Sequence, residues 1–234
     1  MKKLLTIIIA GISFLNLLSQ NIPEGYILHY QQDFSKPKSV DEFRFSVPES
    51  LKTGSEKNKH FIELNNKNLL DSAFQPAAVS ILDNFIFGDF ILEANIKPVG
   101  ETNAPYIWVL LGIKDSLNYY CLNISPLPND SVNTVYALLR GKERTISYRI
   151  DRDFSWNLNK WHKIRIERDI VNPSVKIYVN DMSVPYMEIT DRTFIMGYVG
   201  FGVTSGAVRI TDLKIWSQTT IPEPADFYLK YHLN

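Results

Sequence analysis

The sequence contains one cysteine and carries no net charge, and both facts narrow the possible classes of protein. One cysteine cannot form an internal disulfide, and 234 residues that are 45% hydrophobic provide a core that needs none. Lys+Arg and Asp+Glu both number 25. The chain therefore lacks the basic surface that nucleic acid requires, and nucleic acid is not expected as a partner. No GxGxxG motif, P-loop, HxH or HExxH spacing occurs, which argues against nucleotide and zinc sites.

The longest apolar run lies at the N-terminus. Lys2 and Lys3 precede residues 4–18, which are largely apolar, and Ser19 begins a polar stretch. A basic start, a short apolar segment and a small residue before polar ones are typical of a secretory signal peptide. A membrane anchor is the alternative, but about 15 residues fall short of the roughly 20 that a spanning helix needs. We therefore predict a signal peptide over residues 1–20 and an exported protein (periplasmic, cell-surface or secreted) with no transmembrane segment after cleavage.

The most regular pattern lies near the C-terminus and predicts a β-hairpin. In the string WHKIRIER, the side chains of His162, Ile164 and Ile166 share one face. Residues 172–174 supply a turn, and apolar and polar positions alternate again over residues 175–179. Two alternating segments joined by a short Asn/Pro loop indicate two half-buried antiparallel strands. His162, on the apolar face, is interpreted as a hydrogen-bonded core residue.

The closing strand, in the string VRITDLKIW, breaks its own alternation. Val208 and Ile210 share a face, whereas Leu213 and Ile215 are out of phase with them. One extra residue near positions 211–212 would restore a single inward row. We therefore predict a β-bulge there.

Further short strand-like segments, separated by turn residues, occur along residues 21–216, and residues 106–113 are apolar on both faces. These segments cover residues 25–34, 60–64, 77–82, 89–97, 106–113, 119–124, 134–140 and 145–150. Without helical stretches, this pattern predicts an all-β, two-sheet antiparallel sandwich. Ser39 and Glu42 match a capping box, which predicts a short helical turn, and the polar residues 46–59 indicate an irregular surface segment. Residues 217–234 are predicted to form a tail with one short helix.

Six strings follow one another within residues 76–216: PAAVSIL, FGDFILEANIK, LGIKDSLNYYCLNIS, WHKIRIER, GYVGFG and VRITDLKIW. Their order resembles the concanavalin A-like lectin/glucanase superfamily. Within it, the chain is similar to laminin G-like modules of exported bacterial proteins and, in GYVGFGVTSGAVRITDLKIW, to the 3-keto-disaccharide hydrolases. The resemblance implies a jelly-roll sandwich over residues 21–216 and a glycan or polysaccharide partner. Structural motifs of this kind support the fold more strongly than the function.

The sequence offers no set of catalytic residues, and none is assigned. Retaining glucanases of the superfamily place an E-x-D-x-x-E run on one strand, because glycoside cleavage needs two carboxylates about 5–9 Å apart. The nearest string here, residues 167–172 (ERDIVN), lacks the last carboxylate and is interpreted as solvated turn charges. Relatives often carry a histidine and paired aspartates where this chain has Asn123 and residues 203–206 (VTSG).

The remaining candidates are side chains suited to binding sugars. Sugar rings stack on flat aromatic faces beside planar hydrogen-bonding groups, although most aromatic residues of a sandwich are core. The candidate ligand-binding residues are Trp108, Tyr119, Trp156, Asn123, Arg140 and Arg144. Alternation turns Tyr119, Cys121 and Asn123 away from the core, with Cys121 expected to be a small buried side chain. Arg144 is predicted at a hairpin tip and Trp156 in a loop.

The resemblance also implies one structural calcium ion, with Asp33 and Asp212 as candidate ligands. Asp33 ends the first predicted strand and Asp212 lies in the last. Calcium takes about six to eight oxygen ligands, so backbone carbonyls and water would supply the others. The alternative is that Asp212 only relieves the bulge and Asp33 caps a turn.

Together these features favour a non-catalytic carbohydrate-binding or cell-surface-associated module. Two alternatives stay open: a carbohydrate hydrolase of the 3-keto-disaccharide hydrolase or glycosidase type, and a structural interaction domain of a surface complex. A carboxylate pair in a groove would favour the hydrolase. Aromatic side chains without carboxylates would favour the binding module, and a flat, filled face would favour the structural domain.

Overall fold

The structure, a computed structural model, describes residues 22–66, 76, 78–100, 107–124, 134–146, 148–149, 157–204, 206–218 and 220–222. The strands are β1 (Ile27–Gln32), β2 (Phe43–Phe45), β3 (Leu51–Glu56), β4 (Lys59–Asn65), β5 (Ala78–Phe87), β6 (Phe90–Val99), β7 (Ile107–Asp115), β8 (Asn118–Ile124), β9 (Thr134–Leu139), β10 (Lys142–Thr145), β11 (Tyr148–Arg149), β12 (His162–Asp169), β13 (Ser174–Val179), β14 (Met187–Thr190), β15 (Gly197–Val203), β16 (Ala207–Ser217) and β17 (Thr220–Pro222). Two 3-10 helices span Pro37–Val40 and Pro48–Ser50.

These strands form two antiparallel sheets that enclose one core. Sheet A has the order β11-β14-β13-β12-β6-β16-β4-β3, and β1 also pairs with β16. Sheet B has the order β10-β9-β8-β7-β15-β5-β17, and β2 also pairs with β5. Strands that follow one another in the sequence often lie in different sheets, as β15 and β16 do. The chain therefore crosses repeatedly between the two sheets. The predicted all-β, two-sheet antiparallel sandwich is confirmed.

The core is built from the inward rows of both sheets. In β6 the side chains of Phe90, Leu92, Ala94 and Ile96 are all buried in it, as their alternation predicts. The predicted β12–β13 hairpin is also present. Full burial of a side chain such as Leu92 stabilises the fold by about 1.5–3 kcal/mol. Rows of such side chains hold the sheets together without a disulfide.

The predicted β-bulge is present in β16. Thr211 pairs with Asn95 of β6, and Lys214 pairs with Glu93. The chain therefore advances three residues in β16 where it advances two in β6, which is one extra residue in β16. Asp212, at the bulge, has a φ of 52°. The extra residue places Leu213 and Ile215 in the same core as Val208 and Ile210.

The capping box predicted at Ser39 and Glu42 is wrong. The Ser39 hydroxyl donates to the backbone oxygen of Lys36, within the first 3-10 helix. The Glu42 carboxylate instead accepts hydrogen bonds from the Tyr30 hydroxyl at 2.8 Å and the Gln32 amide at 2.9 Å. Donors from β1 therefore take the side chain that would have capped a helix, and β2 follows directly.

The irregular segment predicted over residues 46–59 is also wrong, because this segment contains β3. β3 pairs with β4 and lies at the edge of sheet A, so its side chains are mostly exposed. An edge strand needs no apolar row and often carries polar residues. Gly54 leaves space for a neighbouring ring, since a Cβ there would lie 2.7 Å from the Cζ atom of Phe61.

Both chain ends extend beyond the described residues. The predicted signal peptide lies outside them, as does most of the predicted tail with its helix. Of that tail, Ser217 ends β16 and Thr220–Pro222 form β17, which pairs with β5. Within the described residues, no helix has the length and apolarity needed to cross a membrane.

Candidate binding face

The outer face of sheet B, meaning the side turned away from the sandwich core, is apolar. In β8, Tyr120, Leu122 and Ile124 point into the core while Tyr119 and Cys121 point outward, as predicted. The outward side chains belong to a second hydrophobic cluster that consists of Val79, Ile81, Trp108, Leu110, Ile113, Tyr119, Cys121, Leu138 and Tyr198. Burial raises the pKa of the Cys121 thiol well above its usual value, and Glu143 adds to this. Cys121 is therefore the buried, inert side chain expected from the sequence.

A polar group lies within this apolar face. Asn123 pairs with Trp108 of β7 and with Thr134 of β9. The Trp108 indole donates to the Thr204 hydroxyl, and its ring centroid lies 6.4 Å from that of Tyr136. The Asn123 Oδ1 atom is buried, with no hydrogen-bond partner in the described residues. An unpaired buried acceptor costs about 1–3 kcal/mol, which makes this amide the most unusual group of the face.

The centre of the face is buried as the structure stands. Trp108 is 1% exposed, and Tyr119 and Asn123 are each 4% exposed. As described, these three side chains are closed to a ligand. At the β9–β10 edge, by contrast, Tyr136 is half-buried and Glu143 is exposed. This edge is the accessible side of the face.

The carboxylates of sheet B are few and far apart. Its described strands contain only Asp83, Asp115 and Glu143. Asp83 forms an ion pair with Arg44, and Asp115 accepts hydrogen bonds from its own turn, including the backbone N–H of Leu117 at 2.8 Å. Glu143 lies three strands from Asp115, about 14 Å at the usual strand spacing. Partial desolvation raises the pKa of Glu143 although the residue is largely exposed, but no second carboxylate of these strands lies within glycosidase distance.

The outer face of sheet A differs because its charges are paired with one another. The Glu93 carboxylate contacts Lys163 at 2.9 Å and Arg165 at 3.0 Å. Glu56 lies 2.6 Å from the Lys97 ammonium and 2.8 Å from a second cation, Arg209. Polar groups that already have partners gain little from a ligand. The outer face of sheet B, in contrast, carries the unpaired buried acceptor of Asn123.

The structure brings together only part of the predicted ligand set. Trp108, Tyr119 and Asn123 share the outer face of sheet B, and Trp156 lies outside the described residues. Arg140 lies in the β9–β10 turn with a φ of 53°. The role of each of these residues in ligand binding stays a prediction.

Arg144 is not at a hairpin tip, because β10 begins two residues before it. Its position opposite Ala137, an inward residue of β9, directs its side chain away from the outer face. The guanidinium instead contacts Asp191 at 2.7 Å and the Thr193 hydroxyl at 3.1 Å. The same carboxylate accepts a hydrogen bond from Tyr120 at 2.6 Å. Arg144 thus belongs to a polar network at the edge of the sandwich.

The candidate calcium ligands lie next to each other but are a poor fit to the ion. Gln32 pairs with Leu213, so Asp33 and Asp212 each lie one residue beyond a paired position. The Asp212 carboxylate already binds the Lys59 ammonium at 2.8 Å and the Asn95 amide at 2.7 Å. A lysine cation on the same oxygen would compete with calcium. Among the described residues, no group of three or more His, Cys, Asp or Glu side chains could hold a metal.

Two further sequence interpretations concern β12. His162 is buried, and its ring nitrogens contact the Asn157 carbonyl and the Asn180 amide at 2.9 Å each, as expected for a hydrogen-bonded core residue. The solvated turn charges predicted over residues 167–172 are wrong at Arg168, which is 4% exposed. Arg168 continues the inward row of His162, Ile164 and Ile166, so the period of two could have placed it inside.

Several solved structures share this fold. A carbohydrate-binding module from Bacillus subtilis, CBM66, matches with a TM-score of 0.56 at 14% identity, over 75% of this chain and 96% of its own. Peanut lectin matches with a TM-score of 0.54 at 10% identity, over 84% and 98%. An endo-β-galactosidase from Clostridium perfringens that releases GlcNAcα1-4Gal matches with a TM-score of 0.57 at 11% identity, over 88% and 65%.

At these identities the likeness shows the fold alone, which is the concanavalin A-like, galectin-like jelly roll. No protein-family model and no curated protein matches the sequence.

Proposed function

We propose that this chain is an exported, non-catalytic carbohydrate-binding module whose ligand lies on the outer face of sheet B. The observation that carries the proposal is the buried Oδ1 atom of Asn123, which has no partner in the described residues. It adjoins Trp108, whose ring lies near that of Tyr136. Aromatic rings and planar amides are the groups that hold sugar rings and hydroxyls. Two proteins with this fold are named as a carbohydrate-binding module and a lectin, which supports the same class.

The ligand would enter from the accessible edge of the face. Tyr136 offers a half-buried ring there, and Arg140 offers a guanidinium in the adjoining turn. Asn123 is 4% exposed, so contact of a ligand with its side chain requires neighbouring groups to move. The measured affinity would then be weaker than the affinity of the rearranged form. Trp156 is proposed as a further stacking group.

The second candidate function is carbohydrate hydrolysis, and Glu143 is the observation that favours it. A glutamate with a raised pKa on a ligand-facing strand could act as a general acid. Hydrolysis by two carboxylates needs a partner about 5–9 Å away, and the strands of sheet B contain none at that distance from Glu143. We therefore rank non-catalytic carbohydrate binding above carbohydrate hydrolysis.

The compartment and the subgroup are parts of the same proposal. Lys2, Lys3 and the apolar residues that follow support export through a signal peptide. The order of the strand strings supports a laminin G-like or 3-keto-disaccharide hydrolase-like exported bacterial module. The third alternative, a structural interaction domain, would bind no glycan at all.

One purified sample of residues 21–234 can separate these functions. A glycan array and a hydrolysis screen on the same sample should show binding to at least one glycan and no product release. Product release from any oligosaccharide would overturn the non-catalytic assignment. A folded sample that binds nothing on a broad array, including acidic glycans, would contradict carbohydrate binding and favour the interaction domain.

Trp156→Ala tests the proposed stacking group on any glycan that the array identifies. Loss of a stacked indole at a binding centre costs about 2 kcal/mol or more, so the affinity should fall roughly thirtyfold while the fold survives. Unfolding of the variant would show instead that Trp156 is a core residue. The ligand would then have to be held without it.

A further inference from the structure

Arg168 is a buried cation at the end of the sandwich. It follows Ile164 and Ile166 on the inward side of β12, and it is 4% exposed. Its Cζ atom lies 5.4 Å from the centroid of the Tyr120 ring. Its Nη1 atom is buried and has no hydrogen-bond partner in the described residues. A guanidinium with a buried donor left free is uncommon, because buried charges are normally paired.

The chain makes room for this guanidinium. Gly112, with a φ of 59°, lies at the irregular part of β7 that faces it. A Cβ at this position would lie 2.9 Å from Nη1 of Arg168 and 3.0 Å from Cβ of Phe194. A side chain at position 112 would therefore displace the cation. The space around Arg168 is thus fitted to the guanidinium, although no acceptor fills it.

The nearby carboxylates are engaged by other groups. Asp89 interacts electrostatically with Arg168 but forms no ion pair with it, and its carboxylate accepts the Ile170 backbone N–H at 2.6 Å. Asp191 is held by Tyr120 and Arg144. Burial lowers the pKa of Arg168, and Tyr120 and Asp89 only partly oppose this effect. Asp169, beside Arg168 in the chain, accepts the backbone N–H groups of Val171 and Asn172. None of these three carboxylates forms an ion pair with Arg168.

A cavity of about 170 Å³ adjoins the guanidinium. Besides Arg168 and Tyr120, the cavity is lined by apolar side chains (Ile170, Pro173, Val175, Phe194 and Ile195) and by polar ones (Asp169, Ser174, Asp191 and Arg192). A buried apolar cavity of about 150 Å³ can take up benzene, so this one has room for a ring or a short chain. The apolar part of the wall offers inorganic phosphate or sulfate no replacement for the hydration that they would lose there. An organic anion with one charged end and one apolar end fits both parts.

We propose that the Arg168 cavity binds a small organic carboxylate, with the carboxylate on the Arg168 guanidinium and the apolar part against Ile170 and Ile195. Arginine binds carboxylates well because its planar fork matches the two oxygens. The cavity lies on the core side of sheet B, since Tyr120 belongs to the inward row of β8. It is thus separate from the outer face, and the two sites can succeed or fail independently.

Benzoate is the probe, and the neutral isostere benzamide is its control. Isothermal titration of residues 21–234 should show saturable binding of benzoate and at least about tenfold weaker binding of benzamide. Arg168→Met keeps the apolar stem, removes the charge, and should abolish binding of benzoate. Lys52→Gln is the control, because it removes one positive charge from the exposed edge strand β3 and Lys52 does not line the cavity. It should change the affinity less than about threefold.

Three results would overturn the proposal. They are no saturable binding of benzoate by the folded wild type, equal binding of benzamide, and unchanged benzoate binding in Arg168→Met. If Arg168→Met does not fold, the comparison of benzoate with benzamide on the wild type still decides. A shift of the Arg168 guanidinium NMR signals with benzoate, and not with benzamide, would then support the site. Absence of that shift would count against it.

Discussion

Replacing Asp191 by asparagine should remove a pH-dependent part of the stability. The carboxylate accepts hydrogen bonds from the Tyr120 hydroxyl at 2.6 Å, the Arg144 guanidinium at 2.7 Å and the Thr193 backbone N–H at 2.8 Å. Burial acts to raise the pKa of this carboxyl. The hydrogen bonds from Thr193, Tyr120 and Arg144 outweigh burial, and the pKa falls from 3.8 to about 2.

The magnitude follows from this difference in pKa. A carboxyl whose pKa is lower in the folded chain stabilises the fold above its unfolded-state pKa, and this contribution is lost as the pH falls from about 4 to about 2. The fall from 3.8 to about 2 corresponds to at most about 2.5 kcal/mol. The Arg144 side chain is 56% exposed, so solvent screens the ion pair and about 1–2 kcal/mol is the realistic value.

Urea unfolding at several pH values measures this contribution. Near pH 7 Asp191→Asn should be less stable than the wild type by about 1–2 kcal/mol, and the gap should narrow steadily below about pH 4. Asp41→Asn is the control, since Asp41 is exposed in a turn and the change should stay within about 0.5 kcal/mol. A gap that is the same near pH 3 as at pH 7 would refute the reasoning. The loss would then come from packing rather than from the ionised carboxylate.

Three other outcomes are expected. Cys121 should not react with Ellman's reagent in the native protein and should react fully in urea, because burial raises its pKa; rapid labelling of the native thiol would contradict this. Gly197→Ala should lower the free energy of unfolding by more than about 3 kcal/mol or prevent folding, because the added Cβ would lie 2.2 Å from the carbonyl carbon of Gly112. A small change in the urea midpoint would be incompatible with that contact. Millimolar calcium should leave Tm unchanged, because the Asp212 carboxylate is already held by Lys59 and Asn95; a rise in Tm that EDTA reverses and Asp212→Ala abolishes would show instead that Asp33 and Asp212 bind the ion.

The sequence predicted the parts of the fold that depend on alternation. The inward row of β6, the β12–β13 hairpin and the bulge at Asp212 all follow from the period of two, because each strand buries one face. The strand β3 could not be predicted from alternation. As an edge strand it buries little, so its pairing with β4 depends on backbone hydrogen bonds that leave no apolar pattern in the sequence.

The candidate sites were only partly predictable for a related reason. Alternation places Asn123 on the outer face, but the missing partner of its Oδ1 atom depends on which groups the fold brings near it. The same holds for Arg144, whose partner Asp191 lies 47 positions away in the chain. Arg168 was missed because its charge suggested a solvated turn, although its position in the strand placed it inside.

The most direct test of the proposed binding face is Asn123→Leu, measured for both stability and affinity. Leucine removes an unpaired buried acceptor, so the free energy of unfolding should stay the same or rise by about 1–2 kcal/mol. Affinity for the glycan that the wild type binds best should fall at least about tenfold. Asn65→Leu is the matched control: the buried Asn65 amide donates to the Ser50 carbonyl at 2.8 Å, so this variant should lose stability and keep its affinity. If Asn123→Leu binds that glycan as tightly as the wild type, the ligand does not use Asn123 and the proposed site is wrong.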